Sequence, residues 1–567
     1  MTTQAENDSA AQQSIFIEQA EYIETDEFHK WTAEHPDEEM IIRKLSQTGA
    51  KLITGPRGCG KTTLMLKASY KLLTDDESQT LPVYVNFKSS LKLEPFYKRN
   101  ANAAFWFNQW LLYKTYLGLF EALDSISADH PNSLKVTAAL AKNITSNLEL
   151  GRTDLSLPDE HVLSVRGLEA DIEKVLDALD KKRCILLLDD AAHAFSPDQQ
   201  RDFFEFFRQV KSKLVSPKAA IYPGVTVYSP TFHVGHDAEE IDVWLRPDSQ
   251  EYIPFMLSLL ERRLAPADYD RLRQDRPLLT LLCYAAFGMP RALLNMVRSC
   301  IKADKLHFDR PTGLAAIKSY YSNTMGLFTS LKDKLPMYSR YVTVGTSVFD
   351  YMVEAIKAYN QDKPVDHQSV TAAIKRPVPV ELSRVFGFFQ YAGLLLPKGE
   401  LSKGEKGIFD QYTVHYATLI DRNALLGKKG VRDIAAFAEA LGKRRSSEFT
   451  RMTPKALLGT EDTASVLSIS LPPCQVCKQP RINEEAKFCI SCGSQLKSIS
   501  VFETLVEQPI SKLPLTPERV KKIKANSQIR TIKDILMDHE NRELRKVPQI
   551  GPYWAKRIYR YAEEHIA

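Results

Sequence analysis

The stretch Gly55-Pro56-Arg57-Gly58-Cys59-Gly60-Lys61-Thr62-Thr63 has the residue types and spacing to hold a phosphate chain. Its glycines let the backbone turn tightly and aim N–H groups inward at an anion. Lys61 can reach the terminal phosphates, and the Thr62 hydroxyl can ligate Mg²⁺. A second chemical pair, Asp189-Asp190, ends the apolar run Cys184-Ile185-Leu186-Leu187-Leu188. Asp189 would hold Mg²⁺, directly or through water, and Asp190 would orient and activate an attacking water. The third constellation is Cys474-Gln475-Val476-Cys477 with Cys489-Ile490-Ser491-Cys492. Four thiolates close a tetrahedron around one zinc ion and leave no position for substrate, so this site is expected to be structural.

Elements that must position these residues are legible around them. Residues 51–54 form a short apolar run with strand character, and residues 63–68 are helix-forming. Strand, loop and helix in that order put a helix N-terminus against the anion. The run 184–188 does not alternate, as suits a strand buried on both faces of a parallel sheet. Two acids at its carboxyl end lie where open α/β sheets bind ligands. Residues 81–87 and 219–222 read as further strands. In Phe287-Gly288-Met289-Pro290-Arg291, Gly and Pro end one helix and start the next. Arg291 then stands near a helix N-terminus, able to lean over a bound nucleotide. The aromatics Phe105, Trp106, Phe107, Trp110, Tyr113, Tyr116 and Phe120 recur at helical spacing and read as core. The His-containing loop 232–237 matches no metal-ligand spacing.

At 567 residues the chain exceeds one ordinary core. Hydrophobic residues at 44% and charged residues at 26% describe a globular protein. A net charge of +5 is too small at this length to imply a nucleic-acid partner, so local clustering must carry that argument. No apolar run approaches the roughly 20 residues of a membrane span, so no membrane partner is expected. Residues 1–14 read as a polar, disordered leader and not a secretory signal. Four cysteines are scattered and four paired, which suits a reducing compartment with one metal site, hence the cytoplasm.

The loop fits G-x-x-x-x-G-K-[ST]. Taken with the Val83-Tyr84-Val85-Asn86 strand, the acidic strand end and Gly288-Met289-Pro290-Arg291, in this order, the chain resembles an AAA+ ATPase of the origin-recognition and replication-initiator clade. The resemblance covers residues 20–300. It implies a P-loop ATPase using ATP and Mg²⁺, with Arg291 as a sensor on a helical lid. It also implies a polar residue leaving the 219–222 strand that contacts the γ-phosphate, with Thr226 the candidate and Ser229 the alternative. The clade usually has Glu where this chain has Asp190. Asp-Asp strand ends and a Gly-x-Pro are also typical of STAND signalling ATPases, which hold nucleotide as a switch and turn it over slowly.

The expected organisation is a leader (1–14), an α/β P-loop core with a parallel sheet (15–247), a helical lid (248–335), a winged-helix-like domain (336–442), a linker (443–473), a zinc ribbon (474–496) and a small all-α domain (497–567). The last resembles a helix-hairpin-helix through residues 544–558, with Gln549 replacing the first hairpin glycine. Lys546, Lys556, Arg557 and Arg560 would neutralise a DNA backbone. The expected activity is Mg²⁺-dependent ATP binding and hydrolysis coupled to DNA binding or assembly, with possible homo-oligomers. The alternative is a STAND-like defence switch whose tail docks a protein trigger or effector.

Overall fold

The computed structural model describes residues 17, 19–99, 102–151, 157–190, 196–302, 305–427, 429–443, 448–469, 471, 473–481, 486, 488–494, 496 and 500–566. The expected leader, 1–14, lies outside them. Five strands, β1 (Lys51–Thr54), β2 (Thr80–Asn86), β3 (Arg183–Asp189), β4 (Val215–Ile221) and β5 (Glu239–Asp242), form one sheet in the order β2-β3-β4-β1-β5. Every pairing in it is parallel. The fold is therefore α/β, with helices on both faces.

The apolar run of β3 shows why both faces are covered. Leu186 and Leu188 pack with Val83, Val85 and the aromatic residues Trp110, Tyr113 and Tyr116 of α2 (Ala103–Ser125). Ile185 and Leu187 point the other way, toward Leu64, Met65 and Ala68 of α1 (Lys61–Thr74). A strand with two apolar faces needs apolar residues at every position. Helix α3 (Pro197–Gln209) adds Phe203, Phe204, Phe206 and Phe207 to the α2 side. Phe107, Trp110, Tyr113, Tyr116 and Phe120 are core, as their spacing implies, whereas Phe105 at the start of the row is exposed and Trp106 half-buried.

Beyond the sheet, α4 (Tyr252–Arg263), α5 (Pro290–Ser299) and the long helices Arg310–Lys334 and Ser339–Asn360 share one apolar cluster with α6 (Val380–Tyr391). A second sheet runs in the order Thr450–Met452, Thr371–Lys375, Ile408–Val414, Leu395–Ser402. The last two pair as an antiparallel hairpin across the expected wing. The expectation of a linker at 443–473 is corrected here: Thr450–Met452 pairs in parallel with Thr371–Lys375, and helices Pro454–Leu458 and Thr463–Val466 follow. The stretch mixes basic, Ser, Thr and Pro residues. Three residues paired with a strand some 80 positions away leave no periodic trace.

The carboxyl-terminal region, 500–566, is all-helical and ends with α7 (Pro552–Ile566). Its core of Ile523, Ile532, Ile535, Leu544 and Ile558 also takes in Leu91 from the segment after β2.

Candidate functional site

The glycine-rich loop joins β1 to α1, and all its residues from Arg57 to Thr63 line one cleft. Gly58 has φ of +89°, and a Cβ there would lie 3.2 Å from Cβ of Arg291. The turn thus needs glycine both for its left-handed backbone and for the close passage of α5. Arg291 occupies the first turn of that helix, as the Gly-x-Pro-Arg pattern predicts, and lines the cleft.

Lys61 is buried; its ammonium donates to the carbonyls of Gly55 (2.7 Å) and Pro56 (3.1 Å). It also lies 3.9 Å from the centre of the Tyr222 ring. Burial pulls its pKa down, while charge on Cys59, Asp190 and Asp189 opposes that. The loop's own carbonyls therefore hold the ammonium in the cleft.

The β2 and β3 strands bring the acids to the loop. Asn86 and Asp189 are in register at the carboxyl ends of the two strands. Asp189 is 1% exposed. It accepts a hydrogen bond from Tyr84 Oη at 2.9 Å and from the Asp190 backbone N–H at 3.0 Å. Burial pushes the Asp189 carboxyl up to about 7, charge on Asp190 adds to the rise, and the Thr62 and Tyr84 bonds oppose it. Asp190 itself has φ of +54°, an uncommon backbone for a residue with a Cβ. Its Oδ1 accepts from Tyr222 Oη at 2.7 Å, and it lines the cleft. Strain at such a position is retained where the surrounding contacts over-determine it.

Thr226 is placed differently from Asp190. Its hydroxyl donates to the Tyr222 carbonyl (2.7 Å) and accepts from the Tyr222 N–H (3.2 Å), closing the turn after β4. It is not among the residues that line the cleft, and neither is Ser229. Tyr222, between Lys61 and Asp190, stands where β4 delivers a side chain to the site. Sequence reading missed Tyr222 and Tyr84 because an aromatic at a strand end reads as core. It also missed Glu564 of α7, which lines the same cleft.

Part of the cleft lining is apolar. Ile23, Trp31, Ala33, Phe255, Leu259 and Leu294 form it, with His35 between them. The segment before β1 is tied down by the Lys67–Glu38 ion pair (2.6 Å) and by Lys67 donating to the Ala33 carbonyl (2.8 Å). Such a wall suits a planar base beside a polar phosphate end.

The four paired cysteines converge. Their sulfurs lie within 4.8 Å of one another, with Cys474–Cys492 at 3.6 Å and Cys477–Cys489 at 3.5 Å. A tetrahedron with zinc–sulfur bonds of about 2.3 Å has edges of about 3.8 Å, so the donor set fits such an ion. The two knuckles match in their backbone bonds: Cys474 N–H donates to Gln479 O at 2.9 Å, and Cys489 N–H to Ser494 O at 2.8 Å. The four sulfurs could hold one metal ion.

In the tail, Gln549 takes φ of +67° and accepts from Lys522 Nζ at 2.7 Å. The four cations expected to face DNA are not alike. Arg557 is buried and donates to Tyr561 Oη at 2.7 Å, Arg560 lies on the ring of Tyr22, and Lys546 pairs with Glu543. Lys556, like Lys521 and Lys524, is exposed. No helix among the described residues is long and apolar enough to cross a membrane.

No protein-family model matches the chain, and no curated protein matches it. Among solved structures it is similar to a Walker-type ATPase of Pyrococcus abyssi (13% identity, TM-score 0.36, covering 72% of this chain and 98% of that one). It is also similar to the Orc1 protein of Aeropyrum pernix in complex with DNA (14% identity, TM-score 0.27, covering 71% and 94%). A STAND protein with a tetratricopeptide repeat sensor from Pyrococcus horikoshii is similar at 10% identity and TM-score 0.24, covering 72% of this chain and 45% of that protein.

Proposed function

We propose that this chain is an AAA+-like ATPase that binds ATP with Mg²⁺ at the β1–α1 loop and couples the nucleotide state to DNA binding or assembly. The observation that carries the reading is the convergence of the loop residues Arg57 to Thr63, with Lys61 buried, on one cleft shared with Asp190 and Arg291, while Asp189 is buried at the end of β3 next to it. A hydroxyl and a carboxylate at the mouth of a phosphate loop are the two protein ligands that Mg²⁺ takes in such sites. Gly55 to Thr63 hold the phosphates, and Lys61 neutralises their terminal charge. Asp190, fixed by Tyr222, orients the attacking water. Arg291 leans over the distal phosphate. Thr226 acts on that phosphate only indirectly, through the Tyr222 backbone it braces. The apolar wall takes the base.

Zinc is the proposed occupant of the four-cysteine site, where it supplies a covalent staple for a segment with little core of its own. DNA would meet the tail through Lys521, Lys524 and Lys556, the exposed cations, by sequence-independent backbone contact. The second reading is a STAND-like switch with a protein trigger. It is favoured by the engagement of Arg557 and Arg560 within the molecule.

Calorimetry with Mg²⁺–ATP tests the nucleotide reading. Wild-type protein should bind one equivalent, and Lys61→Ala should weaken binding at least tenfold; equal affinity in the two would remove the loop from the site. Turnover stimulated by DNA supports the first partner, and trigger-dependent assembly with little turnover supports the second.

A further inference from the structure

We infer that α7 is a latch on the phosphate site, closed by Glu564 and opened by a γ-phosphate; this regulation rests on the nucleotide reading above. The site is built to attract negative charge: the N-terminus of α1, Lys61, Arg57 and Arg291 all face it. What faces them from the tail is the negative end of a 15-residue helix. The Glu564 carbonyl belongs to the last described turn of α7. It accepts from Arg57 Nη1 at 3.4 Å. The Glu564 carboxylate lies 3.5 Å from Arg291 Nη1 and shares the cleft with Lys61 and Asp190.

The placement is anchored outside the cleft as well. Arg560, one turn back on α7, stacks 3.5 Å from the Tyr22 ring centre. Gln508 donates to Asp333 at 3.2 Å, and Phe502 N–H donates to the buried Glu94 carboxylate at 3.4 Å. Leu91 completes the tail's apolar core. The tail is thus seated on the nucleotide core along several independent contacts, and its last turn is aimed at the arginines.

These arginines are the groups a terminal phosphate would use. Glu564 and a γ-phosphate are both anions, and in a site screened from water two anions on one pair of guanidiniums repel strongly. A diphosphate leaves the distal position to Glu564. Docking of the tail is therefore compatible with ADP and competes with ATP. The γ-phosphate frees the tail and the surfaces of the tail that face inward.

The test uses the full chain with ATPγS and ADP. Glu564→Ala should tighten ATPγS binding five- to tenfold and leave ADP within twofold. Arg560→Ala, which loosens the tail at Tyr22 without altering the cleft, should shift ATPγS affinity in the same direction. In wild-type protein, amide exchange across 501–566 should rise with ATPγS and stay unchanged with ADP. ADP binding with equal ATPγS affinity in wild type and both variants, or tail exchange that ignores ATPγS, overturns the latch alone. Binding of neither nucleotide to any of the proteins overturns the nucleotide reading and the latch with it.

Discussion

Asp189 decides how the site answers to pH. Its folded pKa of about 7 lies above its ordinary 3.8. The folded protein thus takes up a proton between those values, and the stability tied to that proton is complete below pH 4 and lost as pH climbs through 7. A cation that requires the carboxylate competes with the same proton. Affinity for Mg²⁺–ADP should therefore rise about tenfold from pH 6 to pH 8 and level off above it. Asp189→Asn should bind weakly with a flat profile; calorimetry at pH 6, 7 and 8, with Mg²⁺-free ADP as reference, checks this. At this scale the sequence was partly legible. Lys61, Thr62 and the two acids could be picked out as candidates because the chemistry fixes both residue type and local spacing. Tyr222 and Tyr84 could not, because their roles come from a hydroxyl reaching a carboxylate on another strand.

Elements whose signals are local were readable, and those made by distant pairing were not. The β1–loop–α1 unit and β3 declare themselves within a dozen residues. By contrast β5, Glu239–Asp242, has one buried position among three exposed ones and looks like a loop. It is a strand because it pairs with β1 nearly 190 residues away, Lys51 opposite Glu239. The same holds for Thr450–Met452. The two cysteine knuckles are the extreme local case, since four residues each suffice to place two sulfurs. Cys477→Ser removes one of four ligands, and the proposed zinc should fall from one per chain to near zero by elemental analysis. Protease cleavage between 467 and 500 should then speed up, because so short a segment holds its shape through the metal.

Across the whole molecule, the nucleotide core meets the later helices backbone to backbone. A Cβ on Gly387 of α6 would lie 2.9 Å from Cα of Gly224, two residues past Tyr222, and one on Gly224 would lie 2.1 Å from the Gly387 carbonyl. The Tyr222 and Tyr391 rings pack beside this seam, centres 6.0 Å apart. Gly387→Ala should therefore push the two bodies apart at a cost of about 1–3 kcal/mol. Thermal unfolding should show the loss, and nucleotide affinity should fall with it because Tyr222 moves. The seating of α7 has a consequence of another kind. Its tether is part of the same polypeptide, so Glu564 is presented at an effective concentration on the order of millimolar whatever the amount of protein in solution. Dilution would not free the helix, and under the proposed latch the ATP level that displaces it would not depend on protein concentration.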